Sequence, residues 1–150
     1  MPFLNDQDAS LVRKRFEHEL DHPVTLEFFT PSTGGLVLPG QDSEMAEYTR
    51  QILAEVAALS PKITLNVHSI AADPDSARTF GITRTPATVV IGAQDYGVRY
   101  FGIPGGYEFS TLLDIIIAVS RATPPIAEET REILSRLKND AHIQVFVTPT

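Results

Sequence analysis

Neither cysteine nor tryptophan occurs in the 150 residues. The missing cysteine excludes disulfides, thiolate catalysis and cysteine-based metal sites in this chain. No apolar run approaches the roughly 20 residues that a membrane helix requires. The opening MPFLNDQDAS has no basic segment leading into an apolar one, so the reading is a cytoplasmic protein without a signal peptide. Basic charge is scarce as well: 12 Lys and Arg face 19 Asp and Glu, a net charge of −7. Nucleic-acid binding needs clustered Lys and Arg, and the short run Arg13-Lys14-Arg15 sits among acids. Such an acidic surface serves solubility.

What is present is ordinary globular material, 43% hydrophobic and 21% charged, enough for a real core. Val12, Phe16 and Leu20 recur at four-residue spacing and predict a first helix, capped by Asp6 or Asp8 and ended by His22-Pro23. VTLEFF (24–29) then reads as a buried strand. The Gly- and Pro-rich stretch 30–42 is a loop. A helix follows with Asp42 or Ser43 as cap and Met45, Tyr48, Ile52, Val56 and Leu59 on one side. ITLNVHSI (63–70) alternates as a strand, a helical turn falls near 74–80, and Ala87 to Ile91 form a third strand. AQDYG turns into VRYFG as an antiparallel fourth. GYEFSTLLDIIIAVSRA buries Phe109, Leu112, Leu113 and Ile116 in another helix. A last helix, with Ile126, Ile133, Leu134 and Leu137 inward, leads to a terminal strand within IQVFVTPT (143–150). The order predicts a mixed sheet with helices on both faces.

Several chemistries lack support. The Gly pair of STGGLVLPGQ has none of the lysine that a phosphate loop needs. His18 and His22 stand four apart, but His22 precedes Pro23 and leaves the helix there, so neither forms a metal pair. His18, His22, His68 and His142 read as surface or capping residues. No serine lies in a Gly-x-Ser-x-Gly context. Glu27, mid-strand between Leu26 and Phe28, reads as a solvated residue at a sheet edge, with Arg99 as its candidate partner.

The terminal VFVTPT repeats the shape of EFFTPS: Phe28, Thr30 and Pro31 recur at one constant offset as Phe146, Thr148 and Pro149. With that repeat, the element order and a proline directly before the third strand, RTPA (84–87) and DYGVRYFGIPGGYEF (95–109) carry a resemblance. The chain resembles the first unit of the tandem protein disulfide oxidoreductases, or glutaredoxin-like domain proteins. More distantly it is similar to the amino-terminal domain of the flavoprotein subunit of alkyl hydroperoxide reductase. The resemblance implies an α/β thioredoxin-like fold with a mixed four-stranded sheet. It divides the chain into a unit at 1–122 and a segment at 123–150, the linker helix and first strand of a truncated second unit.

In that family a Cys-x-x-Cys pair follows the first strand. Sliding the repeats over one another puts Thr33, Gly34, Gly35 and Leu36 there, and none of these can form a mixed disulfide. The resemblance also implies a cis peptide at Thr85-Pro86, in a loop that presents backbone groups to an extended substrate. Without thiols its structural role comes first and peptide contact second. Glu27 beside a redox site would be a proton acceptor whose pKa burial raises. The implied function is a redox-silent unit assisting a cysteine-bearing second unit; the alternative is a stand-alone, non-catalytic peptide-binding module. Implied partners are a protein or peptide substrate, and a second thioredoxin-like unit or self-association through 126–149. No cofactor or metal is implied.

Overall fold

The computed structural model describes residues 2–31 and 41–148, with only the backbone at 41–43. Helix α1 (Asp6–Glu19) starts at Asp6, but its cap is Asn5 rather than Asp6 or Asp8: the Asn5 side-chain oxygen accepts from the N–H of Asp8 at 2.8 Å. Val12, Phe16 and Leu20 are buried as the spacing predicts. Strand β1 (Val24–Thr30) leads to α2 (Gln41–Ala58). That helix begins before Asp42 and Ser43, which fall in its first turn rather than at the cap. Its buried side is also rotated: Ala46, Thr49, Ile52, Leu53 and Val56 are inside, whereas Met45 and Tyr48 are exposed.

Strand β2 (Ile63–Ser69), the short α3 (Pro74–Thr79, capped by Asp73), β3 (Ala87–Ile91), β4 (Arg99–Phe101) and α4 (Tyr107–Arg121) follow. The sheet order is β2-β1-β3-β4, with β1 parallel to β2, and β3 antiparallel to both β1 and β4. Alternation along β1 divides the core. Val24, Leu26 and Phe28 join α1, α2 and α4 on one face through Phe16, Ile52, Leu53, Leu112 and Ile116. Phe29 joins Ala77, Ile82, Ala87 and Val89 on the other, under α3. The main face is closed by Ser120 of α4, whose hydroxyl donates to the carbonyl of His22 at 2.6 Å and accepts from its N–H at 3.0 Å.

Two expectations for the C-terminal segment fail among the described residues. Helix α5 (Glu128–Ser135) is shorter than expected and buries nothing; Ile126, Ile133, Leu134 and Leu137 are all exposed. The main face is already covered by α1, α2 and α4, so an additional amphipathic helix finds no room there. Residues 141–148 form no strand, with Val145 and Val147 about four-fifths exposed. A strand exists only by pairing, and neither edge of the sheet pairs with this segment.

Candidate functional site

The loop entering β3 is fixed by the sheet. Phe29 lies opposite Ala87, so the antiparallel register sets Pro86 beside Thr30, where the chain runs on toward residues 32–40. The proposed redox-motif positions Thr33, Gly34, Gly35 and Leu36 lie outside the described residues. The Thr85–Pro86 peptide is cis. Pro86 is buried, and its carbonyl accepts from the N–H of Gly102 at 3.0 Å, anchoring the loop to the end of β4. Gly102 has φ +99°, a conformation that glycine adopts without a Cβ penalty. The guanidinium of Arg84 lies 4.4 Å over the ring of Phe101. Thr85, half-buried, takes part in none of the loop and turn backbone hydrogen bonds among the described residues. An exposed cation over an aromatic ring thus stands beside a residue with backbone groups to offer.

Glu27 overturns its expectation. β1 is an inner strand, so Glu27 cannot reach a sheet edge, and its side chain is only 13% exposed. The parallel register brings it to β2 rather than to Arg99: Oε2 lies 2.5 Å from Nε2 of His68, and Oε1 accepts from Nδ2 of Asn66 at 3.0 Å. His68 is therefore no surface residue. Its ring stacks on Phe29 at 4.9 Å, and its Nδ1 lies 3.7 Å from Asp73, the cap of α3. Arg99 instead forks onto Asp95 at 2.7 and 2.9 Å, and donates to the carbonyl of Phe80. Those bonds from Arg99, followed by the N–H of Gly97, hold the Asp95 carboxyl down at about 2. His18, His22 and His142 are exposed, as expected.

Sequence reasoning missed Asn66 and His68 as partners of Glu27, and Asp73 as a neighbour of His68. Laying VTLEFFT in parallel against ITLNVHS from their first residues would have found Glu27 beside Asn66. It also missed Tyr100, whose hydroxyl bonds the carboxylate of Glu108 at the start of α4. Burial, and then that carboxylate, push the Tyr100 hydroxyl up. No group of three or more His, Cys, Asp or Glu suited to a metal occurs among the described residues. No helix among them is long and apolar enough to cross a membrane.

A mixed four-stranded sheet with helices on both faces and a proline loop before β3, lacking any thiol, defines a cysteine-free thioredoxin-like domain. The chain belongs to the family described as "Domain of unknown function (DUF7088)", whose profile matches residues 14–103. Among curated proteins it is similar to the alkyl hydroperoxide reductase component AhpF of Staphylococcus aureus, 26% identical over 111 residues. That match takes in 74% of this chain and 20% of the relative. The Staphylococcus epidermidis protein is 27% identical over the same length. The chain thus spans about a fifth of these relatives. Two solved structures share its fold. One is the N-terminal domain of the alkyl hydroperoxide reductase AhpF of Enterococcus faecalis, with TM-score 0.72 and 23% identity over 87% of this chain and 59% of that one. The other is a protein disulfide oxidoreductase of Aeropyrum pernix, with TM-score 0.72 and 24% identity over 89% and 55%.

Proposed function

We propose that this chain is a redox-silent thioredoxin-like unit, 1–122, that works beside a cysteine-bearing second unit of a cytoplasmic thiol–disulfide oxidoreductase. The observation that carries the reading is a thioredoxin-like body with no cysteine anywhere in the sequence. Thiol–disulfide exchange proceeds by thiolate attack through a mixed disulfide, and this chain has no thiol to supply it. Its contribution is therefore positional. The segment 123–150 supports the second half of the proposal: Ile133, Leu134, Leu137, Val145, Phe146 and Val147 are each exposed, apolar surface that another body would cover. In this reading the segment is the linker helix and first strand of the second unit.

Two experiments test it. In the insulin-reduction assay with dithiothreitol, the chain should give no rate above the dithiothreitol background, and a clear acceleration would refute redox silence. The parent reading frame should continue into a Cys-x-x-Cys unit; a stop codon directly after Thr150 would refute the tandem arrangement.

The loop geometry favours a second reading, a stand-alone peptide-binding module. Thr85 has backbone groups to offer and Arg84 stands exposed beside it. Titrating the chain with extended peptides should then shift the amide resonances of residues 84–87. Unmoved resonances throughout the titration would remove this reading.

A further inference from the structure

Strand β2 is the outermost strand on one side of the sheet and is 7 residues long; the opposite edge, β4, has 3. Its ladder with β1 decides which backbone groups it has to spare. Val24 donates to the carbonyl of Lys62 at 2.8 Å, and Ile70 donates to that of Thr30 at 2.9 Å. With Val24 opposite Ile63 and Thr30 opposite Ser69, the even-numbered residues of β2 turn their N–H and C=O toward β1. Ile63, Leu65, Val67 and Ser69 turn theirs outward. The N–H of Ile63 is used by Ser60, and the carbonyl of Ser69 by Asp73. Both groups of Leu65 and of Val67, the carbonyl of Ile63 and the N–H of Ser69 face the open edge.

Proteins blunt such edges with lysine, proline, a bulge or a very short strand. β2 uses none of these. ITLNVHS contains no Lys, Arg, Asp, Glu or Pro and keeps register with β1 along its full length. Thr64, Asn66 and Val67 are exposed.

We propose that β2 docks against β2 of a second copy of this chain, antiparallel about a two-fold axis at Asn66, joining two sheets into one. The spare groups set the register, because a hydrogen-bonded antiparallel pair needs outward-pointing residues on both strands. Centring on Asn66 pairs the whole strand: Leu65 with the second copy's Val67, Ile63 with its Ser69, Thr64 with its His68, and Asn66 with its own mate. The occupant is a second copy because this edge complements itself on both faces. Leu65 and Val67 set apolar against apolar beside the main core. Asn66, having given one N–H to Glu27, keeps its carbonyl and its other N–H for the facing amide.

Light scattering of the whole chain over a concentration series should show a dimer. Asn66→Lys sets like charges directly opposite at the axis, a destabilising cross-strand pair, while each lysine still meets its own Glu27. The variant should be a monomer with an unchanged circular dichroism spectrum. A monomeric wild type at every concentration, or a variant that dimerises like the wild type, overturns the proposal. Should Asn66→Lys fail to fold, single cysteines in this otherwise cysteine-free chain decide. Under mild oxidation Asn66→Cys should cross-link two copies, since facing Cα atoms at a non-hydrogen-bonded pair lie about 4.5 Å apart, within disulfide reach. Thr64→Cys, which faces His68 and lies four residues along the ladder from its own mate, is beyond disulfide reach and should not cross-link within the dimer. Equal rates, or no cross-link at Asn66→Cys, overturn the register and locate any association elsewhere, including the 126–148 segment.

Discussion

The carboxylate of Glu27, on an inner strand, meets the imidazole of His68 on the edge strand at 2.5 Å. A single polar contact thus ties the middle of the sheet to its rim and, through Asp73, to the cap of α3.

Replacing Glu27 should therefore destabilise the body. Glu27→Ala strips both Asn66 and His68 of their acceptor and should cost about 2 kcal/mol, as for hydrogen bonds to charged groups. Glu27→Gln, which keeps the shape and one acceptor oxygen, should cost less. Urea unfolding of the three proteins checks the order; equal midpoints for wild type and Glu27→Ala would contradict it.

Thr88 predicts the opposite sign. Its hydroxyl is buried in the sheet and has no hydrogen-bond partner among the described residues. Thr88→Val exchanges that oxygen for a methyl of similar size and should stabilise by about 1 kcal/mol, the usual cost of an unsatisfied buried hydroxyl. A lower melting temperature would show that the hydroxyl has a partner in solution.

Gly92 sits where β3 ends against α4. A Cβ there would lie 2.7 Å from the carbonyl oxygen of Val119 and 2.9 Å from its Cγ1. Backbone cannot withdraw as a flexible side chain can, so Gly92→Ala should cost about 2 kcal/mol by overpacking. Thermal melting should fall by several degrees. Gly105→Ala, whose nearest neighbour is a methyl at 3.8 Å, is the control and should melt nearly as the wild type does.

Asp95 sets a pH dependence. Its folded pKa of about 2 lies below its ordinary 3.8, so the unfolded chain binds the proton first as pH falls. The stabilisation by Arg99 and Gly97 is complete above pH 3.8 and disappears as pH drops through 2. Wild type should lose stability relative to Asp95→Asn across that interval. Parallel curves for the two proteins between those limits would contradict the linkage.

Much of the body was legible because its signals are local. Four-residue spacing marked α1 and α4, alternation marked β2, and a proline before a β-branched run marked β3. The failures arose where an assignment depended on a neighbour. Met45 and Tyr48 share the helical stripe of Ile52 and Val56, but α2 meets the sheet through Ala46, Thr49 and Leu53. Glu27 looked like an edge residue because strand order is invisible along one strand. The tail looked like a helix and a strand because its apolar pattern is genuine; what it lacks is a surface to receive it.

The clasp between Ser120 and His22 bears on how this chain is made. β1 needs β2 on one side and β3 on the other, and the main face is closed only when α4 returns to the turn before β1. Contacts that span so much sequence cannot form as the chain emerges. Until Ser120 has left the ribosome, α4 cannot complete the cover that α1 and α2 begin over Leu26 and Phe28, so the core of this unit closes only near the end of its synthesis.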